Sequence, residues 1–250
     1  MASTYGLIGF PLGHSFSKIY FNKKFAIENI DAIYNLYPLE NIDNIVKLVA
    51  DIPYLKGLNV TIPYKQKIIP FLSKLSPEAS QINAVNTITI VKQNGQIALT
   101  GYNTDAPAFQ SELTDFYGCN TGRALILGTG GASAAVAYIL GKLNWKFSFV
   151  SRNPQGNNII GYNEITESFI ENIDLIVNTT PAGMFPKIGD APGIPYQYLK
   201  SKHYLFDLVY NPENTTFMKE GSARGAKVRN GLGMLHKQAE LAWNIWQSDK

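Results

Sequence analysis

The chain has 250 residues, of which 45% are hydrophobic and 16% are charged. This composition supports a buried core in one large domain or two smaller ones, and it excludes a disordered or collagen-like chain. The net charge is only +3 and no lysine and arginine run is interleaved with aromatic residues, so a nucleic-acid partner is not expected and a small anionic ligand is favoured.

The sequence contains one cysteine, Cys119. An intrachain disulfide is therefore excluded, and nothing favours an oxidising compartment. The N-terminal segment lacks the basic and apolar runs of a signal peptide, and no later apolar run reaches the length of a membrane span. We therefore expect a cytoplasmic protein without a membrane partner.

Short strands and helices alternate through the first part of the chain. Strands are predicted at 5–10, 32–38 and 58–60, and helices at 15–28, 41–51 and 64–72. Such alternation indicates βαβ units and a largely parallel sheet. Residues 85–102 differ, because two alternating apolar runs flank Asn94 and Gly95, a strong hairpin signal. We expect an antiparallel ribbon there, at the edge of the first sheet.

A second α/β unit is predicted to begin near residue 104. A helix from Asp105 to about Tyr117 precedes a strand, a glycine-rich turn, a helix and another strand, and later strands are expected at 174–180 and 202–210. Apolar residues at helical spacing then predict a C-terminal helix. The expected α/β domains are 1–103 and 104–230, sharing a cleft, with a helix over 231–250 that packs back on the first domain.

The stretch "LGTGGAS" at 127–133 follows an apolar strand and opens a helix, which is the context of a dinucleotide-binding turn. Gly128 allows the tight turn, while Gly130 and Gly131 let a pyrophosphate approach the backbone and the helix N-terminus. The spacing departs from GxGxxG, since the third small residue is Ser133 or Ala134. A turn without a ligand and an S-adenosylmethionine site are the alternatives.

The end of the next strand indicates which dinucleotide is bound. An NAD site would carry a carboxylate there to bind the ribose 2′-OH, whereas this chain has Ser151, Arg152 and Asn153. An arginine can pair with the 2′-phosphate, which an acid would repel. The prediction is NADP(H), and the alternative is that Arg152 is a solvated loop charge.

The stretch "LNVTIPYKQK" at 58–67 places Asn59, Thr61 and Lys65 in one strand-to-helix turn. Interconverting an alcohol and a ketone by hydride transfer requires a proton donor and acceptor at the oxygen. Lys65 can serve if the domain cleft brings it near Asp105. A structural salt bridge between these two residues is the alternative.

Eight short motifs occur in order along nearly the whole chain: GHSFS (13–17), NVTIPYK (59–65), AVNT (84–87), GYNTD (101–105), GTGGAS (128–133), NTTPAGM (178–184), DLVYNP (207–212) and GLGMLHKQA (231–239). In these motifs the chain resembles the shikimate dehydrogenase family. The resemblance implies NADPH-dependent, reversible reduction of 3-dehydroshikimate to shikimate in aromatic amino acid biosynthesis. It also implies that 1–103 is the substrate-binding catalytic domain and 104–230 a Rossmann-like NADP-binding domain.

The resemblance also implies roles for individual residues. Ser15 and Ser17 match the serines that hold the substrate carboxylate, with help from Tyr210. Lys65 matches the catalytic lysine and Asp105 its partner. The remaining contacts to the substrate ring are assigned to Asn59, Thr61, Asn86 and Gln238.

On the cofactor side, the resemblance assigns the pyrophosphate turn to Gly128, Thr129, Gly130, Gly131, Ala132 and Ser133. Ser151, Arg152 and Asn153 occupy the place of the family's Asn-Arg-Thr, and only the arginine is kept. Contacts on the nicotinamide side are assigned to Thr179, Leu208, Gly231 and Met234. A further departure is Asn83 in place of a glycine, which is mild because asparagine tolerates the left-handed conformation.

Two other functions share these motifs. One is a quinate/shikimate dehydrogenase that uses NAD, and the other is a non-catalytic protein of this fold that senses shikimate or quinate. No metal is expected, because the three histidines (His14, His203 and His236) lack ligand spacing. Monomer and homodimer are both open.

Overall fold

The protein contains two separate β-sheets. The computed structural model describes residues 2–13 and 15–248, and His14 lies outside the described residues. The chain divides into one unit of Met1–Thr104 with Ala239–Lys250 and a second unit of Asp105–Gln238. The boundary predicted between 103 and 104 lies one residue from this division. Among the helices of the described residues, none is long and apolar enough to cross a membrane.

The first unit contains a six-stranded sheet in the order β2-β1-β3-β5-β6-β4. Strand β1 is parallel to β2 and β3, whereas β5 is antiparallel to β3 and β6. The elements are β1 (Ser3–Gly9), α1 (Phe16–Ile27), β2 (Ala32–Pro38), α2 (Ile45–Asp51), β3 (Leu55–Val60), β4 (Lys74–Leu75), α3 (Pro77–Ile82), β5 (Thr87–Gln93) and β6 (Gln96–Tyr102).

The predicted hairpin is confirmed. Asn94 and Gly95 join β5 to β6 with φ of +53° and +75°, the positive angles that a type I′ turn requires. The ribbon is not at the sheet edge, however, because the two-residue strand β4 pairs with β6 on its outer side.

The helix predicted over 64–72 is wrong. This segment forms turns and a short 3₁₀ helix, Ile69–Phe71. The backbone N–H of Val85 donates to the carbonyl of Lys65 at 2.7 Å, so a long-range partner takes the acceptor that an α-helix would use for the N–H of Ile69. Ile69 donates instead to Gln66.

Both faces of the first sheet are covered. Along β1, Tyr5 and Leu7 belong to one apolar cluster and Ile8 to another, as alternation in a strand requires. The second half of the C-terminal helix α8 (Leu232–Ser248) joins the Tyr5 cluster, where the ring of Trp246 lies 4.8 Å from that of Tyr5. The indole N–H of Trp246 donates to the carbonyl of Ile88 at 3.0 Å, which ties the helix to β5.

The second unit contains a parallel six-stranded sheet in the order β12-β11-β10-β7-β8-β9. Because the order reverses between β10 and β8 around β7, the carboxyl ends of β7 and β10 flank a topological switch point, where ligands bind in open α/β sheets. The elements are α4 (Asp105–Tyr117), β7 (Arg123–Leu127), α5 (Gly131–Lys142), β8 (Lys146–Ser151), β9 (Ile159–Gly161), α6 (Glu167–Glu171), β10 (Leu175–Asn178), β11 (Tyr204–Asp207), α7 (Thr216–Ser222), β12 (Lys227–Arg229) and the start of α8.

Candidate functional site

The substrate residues predicted in the first unit lie at one end of its strands, where β1 and β3 finish and β5 begins. The backbone N–H of Thr61 donates to the carbonyl of Ile8 at 2.9 Å, which places the residue after β3 beside the end of β1. Val60 donates to the carbonyl of Asn86 at 2.9 Å, because β5 runs antiparallel and begins where β3 ends. The ends of β1 and β3 and the start of β5 therefore bring Thr61 and Asn86 together.

Lys65 is held at the same end of the strands by its backbone carbonyl. Helix α3 ends at Asn83, whose φ of +56° is left-handed, and the chain then turns so that Val85 bonds to the carbonyl of Lys65. The expectation that Asn83 tolerates this conformation is confirmed. The backbone of Lys65 is thereby tied to the residue that precedes Asn86.

The orientation of the Asn86 side chain is fixed by Thr104. The amide of Asn86 donates to the Thr104 hydroxyl at 2.9 Å, and its oxygen accepts the Thr104 N–H at 2.7 Å. Both residues are buried. Since both the nitrogen and the oxygen of this amide are hydrogen-bonded, the amide cannot flip freely. Asn86 therefore presents a defined pattern of donors and acceptors.

Asn59, the second-to-last residue of β3, belongs to a buried polar network that also contains Tyr34. The Tyr34 hydroxyl donates to the side-chain oxygen of Asn59 at 2.8 Å, and the Asn59 amide donates at 3.2 Å to the carbonyl of Asn86 and at 3.2 Å to the hydroxyl of Thr87. Asn59 is 5% exposed. We therefore propose that Asn59 positions its neighbours and does not contact the substrate directly.

Tyr34 extends the network to the predicted carboxylate site. Burial raises the pKa of Tyr34 well above its ordinary value, and a hydrogen bond with the Ser17 side chain opposes that rise. The influence of Ser17 on this pKa links the Tyr34 hydroxyl to the predicted carboxylate-binding pair. Sequence reasoning missed Tyr34, since a tyrosine within a β-rich run is read as core and nothing local shows what its hydroxyl meets.

Ser15 occupies the N-cap position of α1 with extended backbone angles, and its side chain makes no capping hydrogen bond. A hydroxyl that does not cap its own helix can donate to an anion placed at that helix end. The predicted carboxylate-binding pair, Ser15 and Ser17, thus lies at the start of a twelve-residue helix.

In the second unit, the glycine-rich turn follows β7 and leads into α5. Gly128 has φ of +109°, and a Cβ added there would lie 2.9 Å from the Thr179 hydroxyl, so both the conformation and the space require glycine. At Gly130, the N-cap of α5, an added Cβ would have nothing within 4 Å. The open backbone at the start of a twelve-residue helix without acid in its first turn fits a pyrophosphate.

Ser133 holds this turn in place. The N–H of Gly130 donates to the Ser133 hydroxyl at 3.1 Å, that hydroxyl lies 2.6 Å from the hydroxyl of Thr179, and Thr179 donates to the carbonyl of Leu127 at 2.6 Å. Ser133 is buried. We therefore propose that Ser133, predicted to bind the cofactor, supports the glycine-rich turn through its hydrogen bonds to Gly130 and Thr179.

The predicted phosphate-selecting residues follow β8, next to the turn. Gly128 donates to the carbonyl of Val150 at 2.9 Å, and the Ser151 hydroxyl bonds at 3.2 Å to the backbone N–H and carbonyl of Asn153. Arg152 is exposed. Burial raises the pKa of Tyr162, and the positive charge of Arg152 opposes this rise.

Of the residues predicted to contact the nicotinamide, Thr179 follows β10, whereas Leu208, Gly231 and Met234 lie where β11 ends and α8 begins. A Cβ added to Gly231 would lie 2.3 Å from the carbonyl oxygen of Leu208, and the Gly231 N–H donates to Val209 at 3.2 Å. Only glycine permits this approach. Met234 is buried on the following turn of α8.

Three predicted substrate residues belong to the second unit. Asp105 is the first residue of α4 and is buried. Tyr210 is half-buried, and burial raises the pKa of its hydroxyl. Gln238 donates from its amide to the carbonyl of Leu235 at 3.0 Å.

Within the described residues, no group of three or more His, Cys, Asp and Glu side chains could hold a metal ion. The ring of His203 is buried, and its Nδ1 accepts the N–H of Lys200 at 2.7 Å. This histidine therefore has a structural role.

Comparisons with known proteins point to one family. A family model described as the shikimate dehydrogenase substrate binding domain matches residues 7–88. The shikimate dehydrogenase (NADP(+)) of Desulforamulus reducens is 38% identical over 96% of this chain and 88% of its own length.

Solved structures agree with the sequence match. Shikimate 5-dehydrogenase of Thermus thermophilus, in complex with NADP(H) and shikimate, gives a TM-score of 0.83 at 30% identity, covering 98% of this chain and 94% of that one. The Listeria monocytogenes enzyme, in complex with shikimate and NAD, gives 0.81 at 26% identity, covering 99% and 92%. The predicted α/β fold class is thereby confirmed.

Proposed function

The chain belongs to the shikimate dehydrogenase family, and from this premise we propose that it reduces 3-dehydroshikimate to shikimate with NADPH, reversibly, in aromatic amino acid biosynthesis. The observation that carries the proposal is the convergence of Thr61, Lys65 and Asn86 at one end of the strands of the first sheet, in a chain of this family. The prediction of NADP agrees with the name of the curated relative.

Substrate binding is assigned to neutral donors and acceptors around one amine. Ser15 and Ser17 would donate to the ring carboxylate, assisted by Tyr210, so that no fixed cation has to be buried against it. Thr61, Asn86 and Gln238 would bind the ring hydroxyls and carbonyl. A site built this way rejects analogues that lack one hydroxyl, because its own polar groups would be left unpaired.

Proton transfer is assigned to Lys65. In the reductive direction its ammonium group donates a proton to the developing alkoxide, and in the oxidative direction the neutral amine accepts one. Asp105 would orient the lysine and the reacting hydroxyl. The chain must also hold the reacting groups in alignment. The backbone hydrogen bond between Val85 and Lys65 would serve this alignment.

The cofactor would be held by the turn of Gly128, Thr129, Gly130, Gly131 and Ala132, by Arg152 at its 2′-phosphate with Ser151 and Asn153, and by Thr179, Leu208, Gly231 and Met234 at the nicotinamide. When bound, NADPH supplies the hydride. The open backbone at Gly130 and the lack of an acid at 151–153 fit this cofactor.

Steady-state rates with four pairings test the proposal: NADP⁺ or NAD⁺ with shikimate or quinate. The highest kcat/KM is expected for NADP⁺ with shikimate. A higher kcat/KM for NAD⁺ with quinate would support the quinate/shikimate dehydrogenase alternative. Binding of shikimate without turnover in any pairing would support the sensor.

Removal of the Tyr34 hydroxyl is expected to weaken substrate binding selectively. In Tyr34→Phe the Asn59 oxygen loses its donor and the hydroxyl that Ser17 influences is removed, so KM for shikimate should rise roughly five- to tenfold while KM for NADP⁺ stays unchanged. Tyr37→Phe is the matched control, because it removes a hydroxyl from the same strand that accepts a long hydrogen bond of 3.4 Å from the Asn35 amide. A lower melting temperature without a change in KM for shikimate would limit Tyr34 to a structural role.

The proposal requires a small-molecule substrate and no membrane or nucleic acid. A cytoplasmic location, and the choice between monomer and homodimer, stay predictions from the sequence.

A further inference from the structure

Asp207, the last residue of β11, is a fully buried carboxylate to which the sequence assigned no role. Its Oδ1 accepts from the Asn178 amide at 2.9 Å and from the Val209 N–H at 3.0 Å, and its Oδ2 accepts from the Thr215 hydroxyl at 2.6 Å. All three donors are neutral. Burial of a charge without a counter-charge is unfavourable, so its presence points to a task other than stability.

Through these bonds the carboxylate holds two loops at the carboxyl ends of adjacent strands. Asn178 ends β10 in register with Asp207, and its side-chain oxygen accepts from the N–H and hydroxyl of Thr180 at 3.0 and 2.6 Å. Leu208 donates its N–H to the carbonyl of Asn178 at 2.9 Å. The loops 179–183 and 208–210 are therefore linked by one buried group.

We propose that Asp207 is a positioning residue for the nicotinamide end of the cofactor, acting through Asn178 and Val209 on the loops that carry Thr179 and Leu208. This inference rests on the proposed function, since it takes those two residues as nicotinamide contacts. Asp207 and Asn178 begin the motifs DLVYNP and NTTPAGM, and the sequence analysis assigned a role to neither.

The positioning depends on the charge of the carboxylate. Burial raises the pKa of Asp207 to about 6, while the hydrogen bonds from Thr215, Val209 and Asn178 oppose this rise. Protonation removes the negative charge that accepts these three hydrogen bonds, so it weakens them. Because the folded pKa lies above the unfolded one, the stability that the neutral acid contributes is present below the unfolded pKa and is lost as pH rises through about 6. Ionisation thus favours the proposed positioning at the expense of stability.

Tyr196 is a neighbouring titratable group on which the charge of Asp207 acts. The nearby Tyr196 has a pKa raised by burial first and then by the negative charges of Asp207 and Glu220, so it stays neutral. Glu220 is paired with Arg224 at 2.7 Å on α7. The 2′-phosphate of NADPH titrates near pH 6 as well, and a ratio of variant to wild type cancels its contribution.

Fluorescence titration with NADPH on the full chain, from about pH 5 to about pH 8, tests the inference without requiring turnover. Asp207→Asn should raise the dissociation constant roughly tenfold at about pH 8, and the ratio to wild type should fall towards one at about pH 5, where wild type is itself protonated. Glu213→Gln is the control, because it removes an exposed carboxylate from the same loop.

If Asp207→Asn does not fold, Thr215→Val serves instead. It removes the donor to Oδ2, so the pH at which NADPH binding weakens should move upward. A ratio of one at every pH, or a raised ratio that does not vary with pH, would overturn the proposal whatever the melting temperatures. Absence of turnover in a wild-type chain that binds NADPH would overturn the proposed function and leave this inference intact.

Discussion

Replacement of Lys65 by alanine is expected to lower kcat by about 10²-fold or more, with a smaller change in KM for shikimate. The amine is the one group assigned to proton transfer at the reacting oxygen. Removing it affects the transition state more than the ground state, in which neutral donors hold the ring. Steady-state kinetics in the oxidative direction, with shikimate and NADP⁺, measures both parameters.

Lys67→Ala is the matched control, because Lys67 is an exposed lysine in the same turn. It should leave kcat and KM near wild-type values. Near-wild-type turnover of Lys65→Ala would remove this lysine from the chemistry.

A double-mutant cycle with Asp105→Asn tests the pairing of the two residues. If Asp105 acts by orienting Lys65, the single Asp105 variant should also lose activity, and the double variant should be little worse than Lys65→Ala. Multiplicative losses in kcat would show that the two residues act independently. They would leave the structural salt bridge as the better account of any contact between them.

Replacement of Arg152 by alanine is expected to raise KM for NADP⁺ roughly ten- to fortyfold while KM for NAD⁺ stays unchanged. A charge-assisted bond to phosphate contributes about 1.5–3 kcal/mol, and an exposed arginine delivers the lower part of that range. The expected result is loss of NADP⁺ preference, measured as the ratio of kcat/KM for the two cofactors. The neighbouring Ser151 and Asn153 are bonded to each other and provide no positive charge.

Arg123→Ala is the control for the charge itself, since Arg123 is exposed and lies at the amino end of β7, whereas Arg152 follows the carboxyl end of β8. It should leave both KM values unchanged. An unaltered KM for NADP⁺ in Arg152→Ala would make Arg152 a solvated loop charge.

Local sequence signals predicted the elements whose conformation depends on adjacent residues. The hairpin at Asn94 and Gly95 and the turn at Gly128 require positive φ, and the sequence shows this requirement directly. The helix over 64–72 was predicted from the same kind of signal and is wrong. Its failure comes from the bond between Val85 and Lys65, whose partners lie 20 residues apart in the chain numbering.

The family, the α/β class and the positions of the polar motifs could thus be established from the chain alone, because they depend on short patterns and their order. Which polar groups face one another required the packed strands. Tyr34 reaches Asn59 across 25 residues, and Asp207 meets Asn178 across 29. Such partners are adjacent only when strands pair in register, so a buried hydroxyl or carboxylate cannot be distinguished from a core or surface residue until the sheet has formed.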